Sequence, residues 1–92
     1  MASPHRVPVR NEDILVRELG METVFLSPDG RTIHTLDEVG TFIWAQIDGQ
    51  TNLLQITTEI CRVFDVIEET AAADLDELGT EMVDKGLVTL RS

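Results

Sequence analysis

Tyrosine is absent from this chain, cysteine occurs once and histidine twice. The single Cys61 rules out an intrachain disulfide and gives no reason to place the chain in an oxidising compartment. One cysteine and two distant histidines, His5 and His34, also make a poor zinc set, and neither a CxxC nor an HExxH spacing occurs. There is no GxGxxG or Walker loop, so nothing cradles a phosphate. No apolar run approaches the ~20 residues that a helical membrane span needs, and the first ten residues lack the apolar centre of a secretory signal. The cytoplasm is therefore the default compartment.

Positive charge is the other scarcity. Seven Lys/Arg stand against seventeen Asp/Glu, giving a net charge of −10. Residues 37–92 hold twelve of the acidic side chains and only three basic ones. Nucleic acids and anionic lipid surfaces are gripped by Lys and Arg, so this part of the chain would repel both. A neutral or basic partner suits it; the plainer reading is that the charge keeps a small domain soluble.

What is present suits one small domain. The 92 residues are 42% apolar and 26% charged, and a chain of this size buries roughly 60–65% of its unfolded surface in one core. Residues 1–11, with two prolines and no periodicity, read as an unanchored lead-in to a domain over 12–92. Ile14–Leu19 and Glu22–Leu26 read as strands joined at Gly20-Met21, where Gly in the first central position suits a type II′ turn. Ser27-Pro28-Asp29-Gly30 is a turn signal, and Arg31–Leu36 makes a third strand. The period then changes from 2 to 3.6. Asp37 caps a first helix with a stripe of Val39, Ile43 and Ile47, closed by Asp48-Gly49 with Gly49 as its left-handed cap. Asn52 and Gln55 form a capping box for a second helix carrying Leu53, Ile56, Ile60 and Phe64, which breaks at Asp65-Val66. Ala71, Leu75, Leu78 and Met82 are the stripe of a third helix, with Gly86 as its left-handed cap. Leu87–Leu90 ends the chain as an extended segment. The expected fold is α+β: a three-stranded antiparallel meander, three helices and a short final strand.

Catalysis finds little support. His34 has no Asp, Ser or Cys at a dyad spacing, Cys61 reads as a small buried apolar residue, and the carboxylates of the third helix read as a solvated face. Two features suggest binding instead. Ala72, Asp76, Gly79 and Val83 share one flank of the third helix, where Gly79 costs about 1 kcal/mol relative to Ala. That flank is either a docking trough or a surface packed closely on the first helix or the sheet. The first and third strands lie outermost in a plain meander, and an edge strand can accept an extended peptide as its neighbour; the third feeds directly into the first helix, so a peptide added there could also touch a helix.

The stretch Leu36-Asp37-Glu38-Val39-Gly40-Thr41-Phe42-Ile43-Trp44, closed by Asp48-Gly49, resembles the L-N/D-E-x-G-x-x-I-W … D/N-G signature of PqqD-like proteins. These are named for coenzyme PQQ synthesis protein D. Lys85-Gly86-Leu87-Val88 is similar to the basic-Gly-Leu-Val/Ile close of that family, and the likeness spans residues 11–91. The resemblance implies a winged-helix-like domain without catalysis or cofactor, which binds the leader of a ribosomally made precursor peptide. It further implies presentation of that peptide to a modifying enzyme of the radical-SAM type, with pyrroloquinoline quinone synthesis as one setting. By the resemblance, the leader extends the sheet at Arg31, Thr32, Ile33, His34, Thr35 and Leu36 and lies on Ala72, Asp76, Gly79 and Val83. Gly79 and Asp76 depart from the family pattern, which places larger apolar residues there. Two alternatives accompany this reading: a self-associating module or adaptor, such as a homodimer paired through the open strand, and a DNA-binding winged helix. The second has only Arg62 and Lys85 on the last two helices to offer phosphates.

Overall fold

The computed structural model describes residues 5–26, 30–31 and 33–91. Its elements run β1 (Val7–Arg10), β2 (Leu15–Leu19), β3 (Glu22–Leu26), β4 (Ile33–Leu36), α1 (Glu38–Gln46), α2 (Leu53–Phe64), α3 (Glu68–Asp84) and β5 (Val88–Arg91). The class is α+β and the arrangement winged-helix-like, as expected. β2, β3 and β4 form an antiparallel sheet in that order, and β1 pairs with β5 in a separate two-stranded ribbon.

Turn and cap chemistry accounts for most boundaries. Gly20 has φ +65° while Met21 keeps a negative φ, which matches the II′ geometry of the β2–β3 hairpin. The Ser27-Pro28-Asp29 part of the next turn and Thr32 lie outside the described residues. Asp37 accepts a hydrogen bond from the Gly40 N–H at 2.9 Å and caps α1. The Asn52–Gln55 box is complete, each side chain accepting from the other residue's backbone N–H at 2.8–2.9 Å. α3 ends in a Schellman motif: Leu87 N–H reaches the Met82 carbonyl, Gly86 N–H reaches that of Val83, and Gly86 has φ +74°.

The core lies between the β2–β4 sheet and the helices. Thr23, Phe25 and Leu36 point inward from the sheet to meet Ile43, Trp44, Ile56, Ile60, Leu75 and Met82. Trp44 meets Phe25 edge-on, with ring centroids 4.7 Å apart and planes at 79°. A part-buried hydroxyl hydrogen bond, Thr23 Oγ1 donating to Thr41 Oγ1 at 3.0 Å, ties β3 to α1. Gly40 is needed where α1 passes β4, because a Cβ there would sit 3.0 Å from the Leu36 Cβ.

Two expectations need correction. The lead-in is anchored: Val7–Arg10 pairs in register with Arg91–Val88, and the Leu53 N–H donates to the Arg6 carbonyl at 3.0 Å. The guanidinium of Arg10 lies 4.4 Å from the centroid of Trp44 and donates to its carbonyl at 2.6 Å. The sequence hid this because a four-residue strand with a proline has too little alternation to read. Its partner also lies at the far end of the chain, with Arg91 opposite Val7 and Val88 opposite Arg10. The second correction concerns Gly49, which does not cap α1. That helix ends at Gln46, and Asp48 builds its own turn by accepting from the Gln50 and Thr51 N–H groups at 2.9 and 2.8 Å.

Arg10→Ala removes a charged hydrogen bond and a cation–π contact, and is expected to cost about 2 kcal/mol in chemical denaturation. The backbone bonds of Asp48, with one from the Thr51 hydroxyl, hold its carboxyl below the usual pKa. A depressed native pKa contributes stability above the unfolded-state value and loses it as pH falls through the native one. Asp48→Ala should therefore lower the melting temperature at neutral pH, and the gap from the parent should close as the pH falls below about 4.

Candidate functional site

β4 pairs with β3 alone among the described residues, so its other edge is open. Alternate residues of an antiparallel strand turn both main-chain groups the same way, so about two of the four present N–H and C=O outward. The side chains alternate as well. His34 and Leu36 face the core side opposite Phe25 and Thr23, while Ile33 and Thr35 are exposed on the outer face. By register Leu15, Leu26 and Ile33 form one row across that outer face, with Leu15 67% and Ile33 66% exposed. Any strand added at β4 meets this apolar row at its end.

The flank of α3 is open too. A Cβ on Gly79 would meet nothing within 4 Å, so close packing does not explain this glycine. Ala72, Asp76, Gly79 and Val83 all line one groove of about 850 Å³ between α3 and the start of α2. None of the groove's lining residues belongs to β4.

The strand edge and this flank are therefore two surfaces. Glu81 of α3 is within electrostatic reach of His34, and at about 100° per residue it lies about 200° around the helix from Gly79. Asp74, Leu78 and Lys85 share the Glu81 side by helical spacing. Lys85 donates to Glu81 at 2.7 Å, and this bond, with the ammonium charge and a smaller pull from His34, lowers the Glu81 pKa. Among the expected residues, Ile33 to Leu36 thus form one group and Ala72, Asp76, Gly79 and Val83 another. Arg31 is exposed just before β4, and Thr32 lies outside the described residues. Asp74, Leu78 and Glu81, on the opposite flank of α3 by helical spacing, were not singled out from the sequence. Their spacing beside the core stripe was visible, but a stripe has two flanks and nothing in the spacing says which one faces β4.

No group of His, Cys, Asp and Glu among the described residues could hold a metal ion. A smaller concavity of about 520 Å³ lies beside Arg10, Trp44 and Asp48, where Trp44 Nε1 and Arg10 Nε are buried without an acceptor among the described residues. No helix among the described residues is long and apolar enough to cross a membrane.

Comparison with known proteins places the chain. The family of coenzyme PQQ synthesis protein D matches residues 22–88, most of its length. The chain belongs to the PqqD family. A solved structure of TbiB1 in complex with the TbiA(beta) leader peptide has the same fold, with a TM-score of 0.79 at 24% identity, over 87% of this chain and 93% of that one. No curated protein matches the chain. In this PqqD-family chain the signature residues are structural: Asp37 caps α1, Gly40 lets it approach β4, Trp44 fills the core and Asp48 makes the turn into α2.

Gly79→Ala is expected to raise stability by about 1 kcal/mol in denaturant melts, since the helix gains propensity and the methyl meets no neighbour. A loss of stability would mean that the flank is covered.

Proposed function

We propose that this chain is a non-catalytic peptide chaperone that binds the leader of a ribosomally made precursor by strand addition at β4. It then presents that peptide to a modifying enzyme of the radical-SAM type, with pyrroloquinoline quinone synthesis as the candidate pathway. The observation that carries the reading is the open edge of β4. Main-chain groups of β4 supply sequence-independent hydrogen bonds, as in other cases of β-augmentation. Selection comes from side chains: an apolar peptide residue continues the Leu15–Leu26–Ile33 row, and Asp74 and Glu81 favour a basic one nearby. Family membership supports the reading, as does the shared fold with a protein solved with a leader peptide bound.

Two observations weigh against nucleic acid. Arg62 and Lys85, the bases of the last two helices, are paired with Glu59 at 2.6 Å and Glu81 at 2.7 Å. Each base thus sits beside a carboxylate that repels phosphate. Self-association is the competing use of the same open edge, because a second β4 can occupy it across a two-fold axis.

Titrating isotope-labelled protein with its cognate leader should shift the amides of Ile33–Leu36, Leu78 and Glu81 and slow exchange at alternate β4 amides. Ile33→Asp should leave stability within about 0.5 kcal/mol and weaken the leader roughly tenfold, by removing apolar contact. Shifts confined to Ala72, Asp76, Gly79 and Val83 would defeat the reading. Sedimentation at rising concentration separates a peptide-binding monomer from a dimer closed through β4.

A further inference from the structure

The groove between α2 and α3 lies on the side of α3 away from β4, so a leader strand at β4 leaves it unoccupied. Its apolar lining comes from Leu53, Leu54, Ala72, Leu75, Val83 and Leu90. Leu54 and Val83 are large apolar side chains left 41% and 39% exposed there. The missing side chain at Gly79 lets a second backbone come close.

The rim has a definite charge. Glu68, Glu69, Asp76, Glu77 and Asp84 border the groove, and none of them has an ion-pair partner among the described residues. Arg6, the one base on the rim, is turned to the Leu90 carbonyl at 3.1 Å. The positive end of α3 accounts for Glu68 and Glu69, which lie in its first turn. It does not account for Asp84, which sits at the negative end with no base in the last turn, against the helix dipole.

Backbone accounting decides the shape of the occupant. Two helices wall most of the groove, and helices keep their main-chain groups to themselves. An extended peptide would bury its own N–H and C=O groups there without partners, whereas a helix brings them already satisfied. We propose that this groove docks an amphipathic helix of a partner protein, with an apolar stripe seated over Gly79 and Lys or Arg along both sides of it. α3 is about 25 Å long, so such a helix has room for some four turns. The domain then holds two different guests at once, a strand at β4 and a helix on the opposite flank of α3.

The probe is a synthetic helix of about 18 residues with leucines at three- and four-residue spacing and lysines on both flanks. One control replaces every lysine with glutamate, and another scrambles the same composition so that the stripe is lost. The expected result is binding of the basic amphipathic peptide alone, with amide shifts at residues 53–57 and 72–83 and weaker binding at higher salt. Asp76→Lys with Asp84→Lys, and separately Gly79→Leu, should each weaken it roughly tenfold or more while circular dichroism stays unchanged. Prior saturation of β4 with a leader peptide should leave this binding intact. Equal binding of the scrambled peptide, shifts centred on Ile33–Leu36, or no binding at millimolar peptide would overturn the proposal. So would concentration-dependent dimerisation mapped to the groove, which would make a second copy the occupant.

Discussion

Trp44 holds the molecule together. Its ring meets Phe25 of the sheet edge-on, while Arg10 of the β1–β5 ribbon lies over it and donates to its carbonyl. Sheet, α1 and ribbon are joined at this one residue, whose side chain is 1% exposed. A domain of 92 residues has little surplus stability, so a contact shared by three parts matters more here than it would in a large core. It also settles where the sheet can be open. With the inner face of β3 and β4 committed to α1, the outer face and the free edges of β2 and β4 remain for another molecule.

In the proposed reading, α3 separates two kinds of recognition. One side looks toward β4 and carries Glu81 and Lys85; the other looks toward α2 and carries Gly79 in open space. A strand edge offers unpaired backbone and so suits extended polypeptide. A trough between helices offers apolar surface and charge without spare backbone groups, and suits a guest that is already folded. The acidic excess in residues 37–92 is shared by both flanks of α3, each of which carries carboxylates.

Much of this was legible in the order of residues. The switch from period 2 to period 3.6 at Asp37, the Asn52–Gln55 box and the Gly86 cap mark α1 to α3 almost to the residue. These are local devices, closed within four or five residues, and each carries its own chemical signature. β1 had no such signature. Its hydrogen bonds go to the far end of the chain, and its four residues show no alternation strong enough to announce a strand. Gly49 misled for a related reason: a glycine after a helix suggests a cap, but the neighbouring Asp48 carboxylate captured the turn.

By itself the sequence determined the class of fold, the three helices, the caps at Asp37, Asn52 and Gly86, and the meander, because all of these follow from periodicity and short-range hydrogen bonding. Only the tertiary structure decided which flank of α3 faces β4 and that the first residues are stitched to the last. Both depend on the angle at which α3 crosses its neighbours and on a pairing across the whole chain, quantities set by packing that no local pattern encodes.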